Sequence, residues 1–134
     1  MVTLHAIIER AEHNYSAYVE EIDGVAGIGD TLEKVKKSME EGLIVLKEAC
    51  EDFGDPVPEE LQGDYRIVFR MDTKSFLQMS CKIFTKSALE RLTGINQKQL
   101  WHYANGMTKP RPAQVKKIET ALHRLGEELL SLEL

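Results

Sequence analysis

The sequence changes character at Asp72, and that change constrains the fold more than any other feature. Before it, short runs of β-branched and aromatic residues surround one long amphipathic stretch; after it, the periodic segments repeat at three and four residues and none alternates as a strand. Two units are therefore expected, 1–72 and 73–134. Charge divides at the same place. Residues 1–72 carry 7 Lys and Arg against 17 Asp and Glu, a net −10, whereas residues 73–134 carry 10 against 5, a net +5. The overall −5 hides this asymmetry. A basic module suits a polyanion, and an acidic one suits a basic partner or simply solubility. Two units cut from 134 residues are each marginal alone, so oligomerisation is expected as well.

Within the first unit, residues 4–12 and 15–22 read as a hairpin around His13 and Asn14. Asp23 and Gly24 break the second strand. Residues 25–29 then suggest a short third strand, whose glycines bend it or admit another backbone. A helix follows, with Asp30 as expected cap and Glu33 at capping-box spacing. Its stripe of Leu32, Val35, Met39, Leu43, Leu46 and Cys50 must cover a sheet. Gly54, Pro56 and Pro58 stop this helix, and residues 65–71 return as a strand. The order β-β-β-α-β predicts a two-layer unit, and the chain as a whole is expected to be α+β. Helices are expected in the second unit over 73–84, 85–93, 96–105 and 112–132, the last begun by Pro112.

Several function classes find no support. The longest apolar runs fall far short of the roughly 20 residues of a membrane helix, and the start lacks a basic segment followed by an apolar one, so a cytoplasmic protein is expected with no membrane partner. Cys50 and Cys81 are too few and too distant for a disulfide framework or zinc knuckle, and both are expected reduced and buried. The four histidines show no metal-ligand spacing, and neither a Gly-rich phosphate loop nor a Ser/His/Asp arrangement occurs. No catalytic residue, metal or cofactor is expected.

The stretch from Ser87 to Gly106 has a helix, a turn at Gly94 and a second helix with polar residues at its start. Gly94 allows the positive φ that ends a helix tightly, and Asn96 can cap the next one. Ile95, Leu100 and Tyr103 lock that helix inward, which leaves Gln97, Lys98, Trp101 and His102 outward. Gln97, Lys98 and His102 are read as sharing a face. Glutamine can bond adenine N6 and N7 together, and lysine can bond guanine O6 and N7. Trp101 suits a subunit interface or a place near DNA equally.

Residues 94–111, ending Asn105-Gly106-Met107-Thr108-Lys109-Pro110-Arg111, resemble the helix-turn-helix of lambdoid phage repressors. That resemblance implies that Gln97, Lys98 and His102 read bases and that Lys86, Lys109 and Arg111 contact phosphate. The chain departs from such motifs at Glu90, where a small apolar residue is usual four positions before the turn glycine. This implies a first helix shifted by one residue or a slightly different turn.

The first unit, with Asn14 to Val25, the Gly29-Asp30-Thr31-Leu32-Glu33 helix start and Pro56-Val57-Pro58, resembles the HicB antitoxin family. Members have a partial RNase H-like sheet with one helix, often joined to a DNA-binding domain, and residues 85–130 resemble the helix-turn-helix branch. A departure is Ile22-Asp23-Gly24-Val25, where Leu-Pro-Gly-Cys is usual. The resemblance implies a partner, a small basic HicA-like mRNA interferase, bound by residues 1–72, and double-stranded operator DNA bound by residues 73–134. Tyr15, Tyr18, Glu20 and Asp23 are the candidate toxin contacts, with Tyr15 or Tyr18 as sheet core the alternative. An RNase H-like sheet raises nuclease chemistry, but two-metal cleavage needs several converging carboxylates. Asp23 and Asp30, the only pair in view, are accounted for by a turn and a cap. The rival reading is a stand-alone repressor whose first unit senses a ligand or dimerises. Two-fold repression needs a homodimer or higher oligomer with half-sites about 34 Å apart. The edge formed by Leu122, Leu125, Leu129 and Leu132 is its candidate surface.

Overall fold

The computed structural model describes residues 1–134 and is α+β, with one four-stranded mixed sheet and five α-helices. Two compact units divide between Asp72 and Thr73. No helix is long and apolar enough to cross a membrane.

In the first unit, β1 (Val2–Arg10), β2 (Tyr15–Val19), β3 (Ala26–Gly29) and β4 (Tyr65–Met71) form a sheet in the order β3-β2-β1-β4. β1 pairs antiparallel with β2, and β2 with β3. β4 lies parallel to β1, an arrangement that needs a long crossover. That crossover is α1 (Leu32–Phe53), which packs on one face of the sheet. Strand alternation sends Leu4, Ala6 and Ile8 of β1 and Ala17 and Val19 of β2 to that face, where they meet Val35, Met39 and Leu43. Leu61, in the short 3-10 turn Glu59–Leu61, completes the core.

The hairpin link is four residues long, 11–14, and is closed by the Ala11 amide donating to the Asn14 carbonyl at 2.8 Å; β1 runs 2–10 rather than 4–12. Asp30 does not cap α1. Thr31, with extended backbone, accepts the Lys34 amide on Oγ1 at 3.1 Å, so the Asp30–Glu33 capping-box spacing goes unused. The Asp30 carboxylate instead pairs with Lys34 Nζ at 3.1 Å. The glycines of β3 do admit another backbone, that of α1. A Cβ on Gly29 would lie 2.5 Å from the Val35 amide nitrogen, and one on Gly27 would lie 3.0 Å from that of Met39.

In the second unit, α2 (Thr73–Ser80) stops four residues short of the expected end at 84. The chain turns there because the Ile83 and Phe84 amides both donate to the Ser80 carbonyl, which brings Phe84 back against the core. α3 (Lys86–Thr93), α4 (Gln97–Ala104) and α5 (Pro112–Leu130) follow, around Leu77, Leu89, Ile95, Leu100, Tyr103 and Ile118. Both cysteines are free, as expected, but neither is fully buried: Cys81 lies exposed in the turn after α2 and Cys50 is half-buried.

Gly29→Ala is expected to destabilise the protein by about 1–3 kcal/mol, since backbone has to move apart to admit the methyl. Gly63→Ala, where the added Cβ meets nothing within 4 Å, is the control, and denaturant titration of both variants reads the difference.

Beyond β2, the Glu20 amide donates to the His5 carbonyl, and the Glu21 carboxylate accepts from the His5 amide at 2.7 Å and contacts Nδ1 at 2.6 Å. Desolvation pushes the Glu21 carboxyl up. The bonds from the His5 amide and ring outweigh this and hold it below the ordinary 4.5. A pKa lower in the folded state gives stability that is full above the unfolded value and fades as pH falls through the folded one. Glu21→Gln is therefore expected to be less stable than the wild type at pH 7, and the gap should narrow as pH falls below about 4.5 in acid titrations followed by circular dichroism.

Candidate nucleic-acid interface

Between α3 and α4 the chain makes one tight turn. Thr85 caps α3 by accepting the Ala88 amide at 3.0 Å. At the other end Gly94, with φ 75°, donates to the Glu90 carbonyl at 2.8 Å. Thr93 is buried at this corner; its hydroxyl donates to the Leu89 carbonyl and accepts the Ile95 amide.

The first-turn amides of α4 lack partners within the helix. Asn96 accepts the Lys98 amide on Oδ1 at 2.8 Å. The Glu90 carboxylate reaches across the turn and accepts the Gln97 amide at 2.9 Å. Here lies a physical role for Glu90: its carboxylate ties α3 to the start of α4. Its negative charge also suits a helix N-terminus. The only sequence signal for this role was an acid seven residues before a helix start. The far end of α4 is held by α2, whose Gln78 donates to the Ala104 carbonyl at 2.9 Å.

Held at both ends, α4 buries Leu100 and Tyr103 and turns Gln97, Lys98 and Trp101 outward. Gln97 and His102 do not share one stripe, because five residues place them about 140° apart around the axis. Trp101 and Lys98 lie between them. His102 is half-buried and edge-on to Trp101, with ring centroids 5.7 Å apart. Trp101 is 40% exposed, and the Lys86 ammonium at the start of α3 stands 5.8 Å from its ring centroid. The structure thereby brings Lys86 to the outer face of α4, and the tryptophan occupies the middle of that face. Lys109 and Arg111 are exposed on the segment leading to α5, and Arg111 makes no side-chain cap to that helix.

The four proposed toxin contacts do not converge. Tyr15 packs against the core on the α1 side, while Tyr18 is 46% exposed and alternation places it and Glu20 on the opposite face of the sheet. Asp23 is exposed in the bend after β2. No ligand spacing in the sequence involves His5, yet the fold gathers its ring with Glu20 and Glu21, their ligand atoms lying within 4.8 Å of one another. A divalent cation there would compete with the His5–Glu21 hydrogen bonds.

Comparison with protein families, with curated proteins and with solved structures finds no match.

Replacing Glu90 with alanine should free the Gln97 amide and cost about 0.5–2 kcal/mol, the usual size of a lost helix cap. Glu90→Gln retains an acceptor and should lose less. Thermal denaturation ranks the two variants, and amide exchange at Gln97 should accelerate most in Glu90→Ala.

Proposed function

We propose that this chain is a HicB-type antitoxin whose second unit represses its own operon. In this reading residues 73–134 form a helix-turn-helix domain, and α4 enters the major groove of double-stranded operator DNA. Gln97 and Lys98 read base edges, and His102 contributes from the flank of the same helix. Lys86, Lys109 and Arg111 hold phosphates on either side. The observation that carries the reading is the start of α4: Glu90 and Asn96 take up the Gln97 and Lys98 amides, and the side chains of Gln97, Lys98 and Trp101 face out beside Lys86.

Residues 1–72 form, on this proposal, a partial RNase H-like unit that binds a small basic HicA-like mRNA interferase. Support comes from the net charge of −10 over this unit, which steers a basic partner toward it. Because the four residues first singled out lie on different surfaces, Tyr18 and Glu20, on the uncovered sheet face, are the contacts favoured here.

Two measurements test the two halves. Binding to the DNA immediately upstream of the gene should fall by about 1–3 kcal/mol in Gln97→Ala, with relaxed sequence preference. Lys109→Ala should weaken all DNA sequences alike and reduce the salt slope by about one. Co-expression with the small protein encoded beside this gene should give a stable complex and relieve growth arrest. DNA binding without any such complex would leave a stand-alone repressor; failure to bind DNA would remove the operator reading.

A further inference from the structure

The chain holds a single tryptophan, Trp101, and it stands on the outward face of α4. Gln97 lies four residues before it and Lys98 three, spacings that put neighbours on one helix surface. Around the axis Trp101 falls between them, about 40° from Gln97 and about 60° from Lys98. A surface that meets both polar side chains must therefore cover the indole as well.

The core makes little use of this ring. Leu100 and Tyr103 fill the inward side of α4, and Trp101 stays 40% exposed. Its neighbours are polar: the Lys86 ammonium is 5.8 Å from the ring centroid, and His102 meets it edge-on at 5.7 Å. An apolar plate set among Lys86 and Lys98 does not suit a second copy of the same face, because a two-fold contact there would oppose like charges. Exposed leucines lie elsewhere, at Leu129, Leu130 and Leu132 in the last turn of α5 and beyond. Leu122, expected on that same edge, packs against the core instead. The face of α4 suits a polyanion that also presents an apolar group.

We propose that Trp101 is a specificity-determining residue that reads thymine, its indole packing on C5-methyl groups in the major groove beside the bases met by Gln97 and Lys98. The thymine methyl is the apolar group that base edges present there. Lys86, held over the ring, keeps a cation at the border of this apolar contact, where phosphate runs. The inference rests on the operator reading and deepens it: a glutamine bonded to adenine and an indole on thymine methyls both select A·T pairs.

The test measures binding of the full chain to the DNA upstream of its gene, made once with thymidine and once with deoxyuridine throughout, which removes only the methyls. The wild type should bind the uracil DNA about fourfold more weakly or worse, the size of one buried methyl. Trp101→Ala should bind thymine DNA more weakly than the wild type, since Lys86 also loses its seat, but should lose nothing further on uracil DNA. Trp101→Phe keeps an apolar ring and should retain part of the discrimination. Because Trp101 is the sole tryptophan, its fluorescence reports the contact in the unaltered protein, and thymine DNA should shield it from acrylamide quenching. Equal binding of both DNAs by the wild type, the same uracil loss in Trp101→Ala, or unchanged quenching in the complex would overturn the proposal and leave operator binding standing. A wild type that binds neither DNA would remove the operator reading and this inference with it.

Discussion

A helix whose first residues are exposed has to find acceptors for its own free amides, and the start of α4 is organised around that requirement. Water can serve as acceptor in isolation, but a helix start held only by water frays. Here the Glu90 carboxylate spans the turn to the Gln97 amide while Asn96 takes the amide of Lys98. The tie links two short helices, eight residues each, that neither propensity nor length would stabilise alone. With Leu100 and Tyr103 locked inside, the orientation of α4 about its axis is set, and with it the side chains that meet the outside.

The first unit depends on a different constraint, the close approach of α1 to the short edge strand β3. Two glycines remove the side chains that would hold helix and strand apart, and the Val35–Met39–Leu43 stripe then reaches the sheet. The uncovered face is left polar at His5, Glu20 and Glu21 but carries the exposed ring of Tyr18. One face is therefore a packed core and the other carries polar and exposed side chains, the usual division in a sheet covered by one helix.

Much of this was legible from local pattern. The four strands, the long helix and the Gly94 turn follow from alternation, from a three-and-four repeat and from a residue that tolerates positive φ. Boundaries slipped where two neighbouring residues offered the same chemistry. Thr31 rather than Asp30 caps α1 because its backbone is extended and its hydroxyl meets the Lys34 amide. α2 ended early because Phe84 had a core to return to, and a core is not visible in a window of twelve residues.

The sequence by itself determined the elements, their order, the change of character at Asp72 and the opposite charges on either side of it. These are short-range or additive properties, carried by residue type and spacing. Only the tertiary structure decided which polar groups meet. The pairing of Glu90 with the Gln97 amide, the gathering of Glu20 and Glu21 at His5, and the separation of Tyr15 from Tyr18 arise from turns, strand register and the face a helix buries. A rotation of α4 by one residue would leave its composition unchanged and present a different surface. Side-chain packing selects among such rotations, and packing is a property of the folded chain.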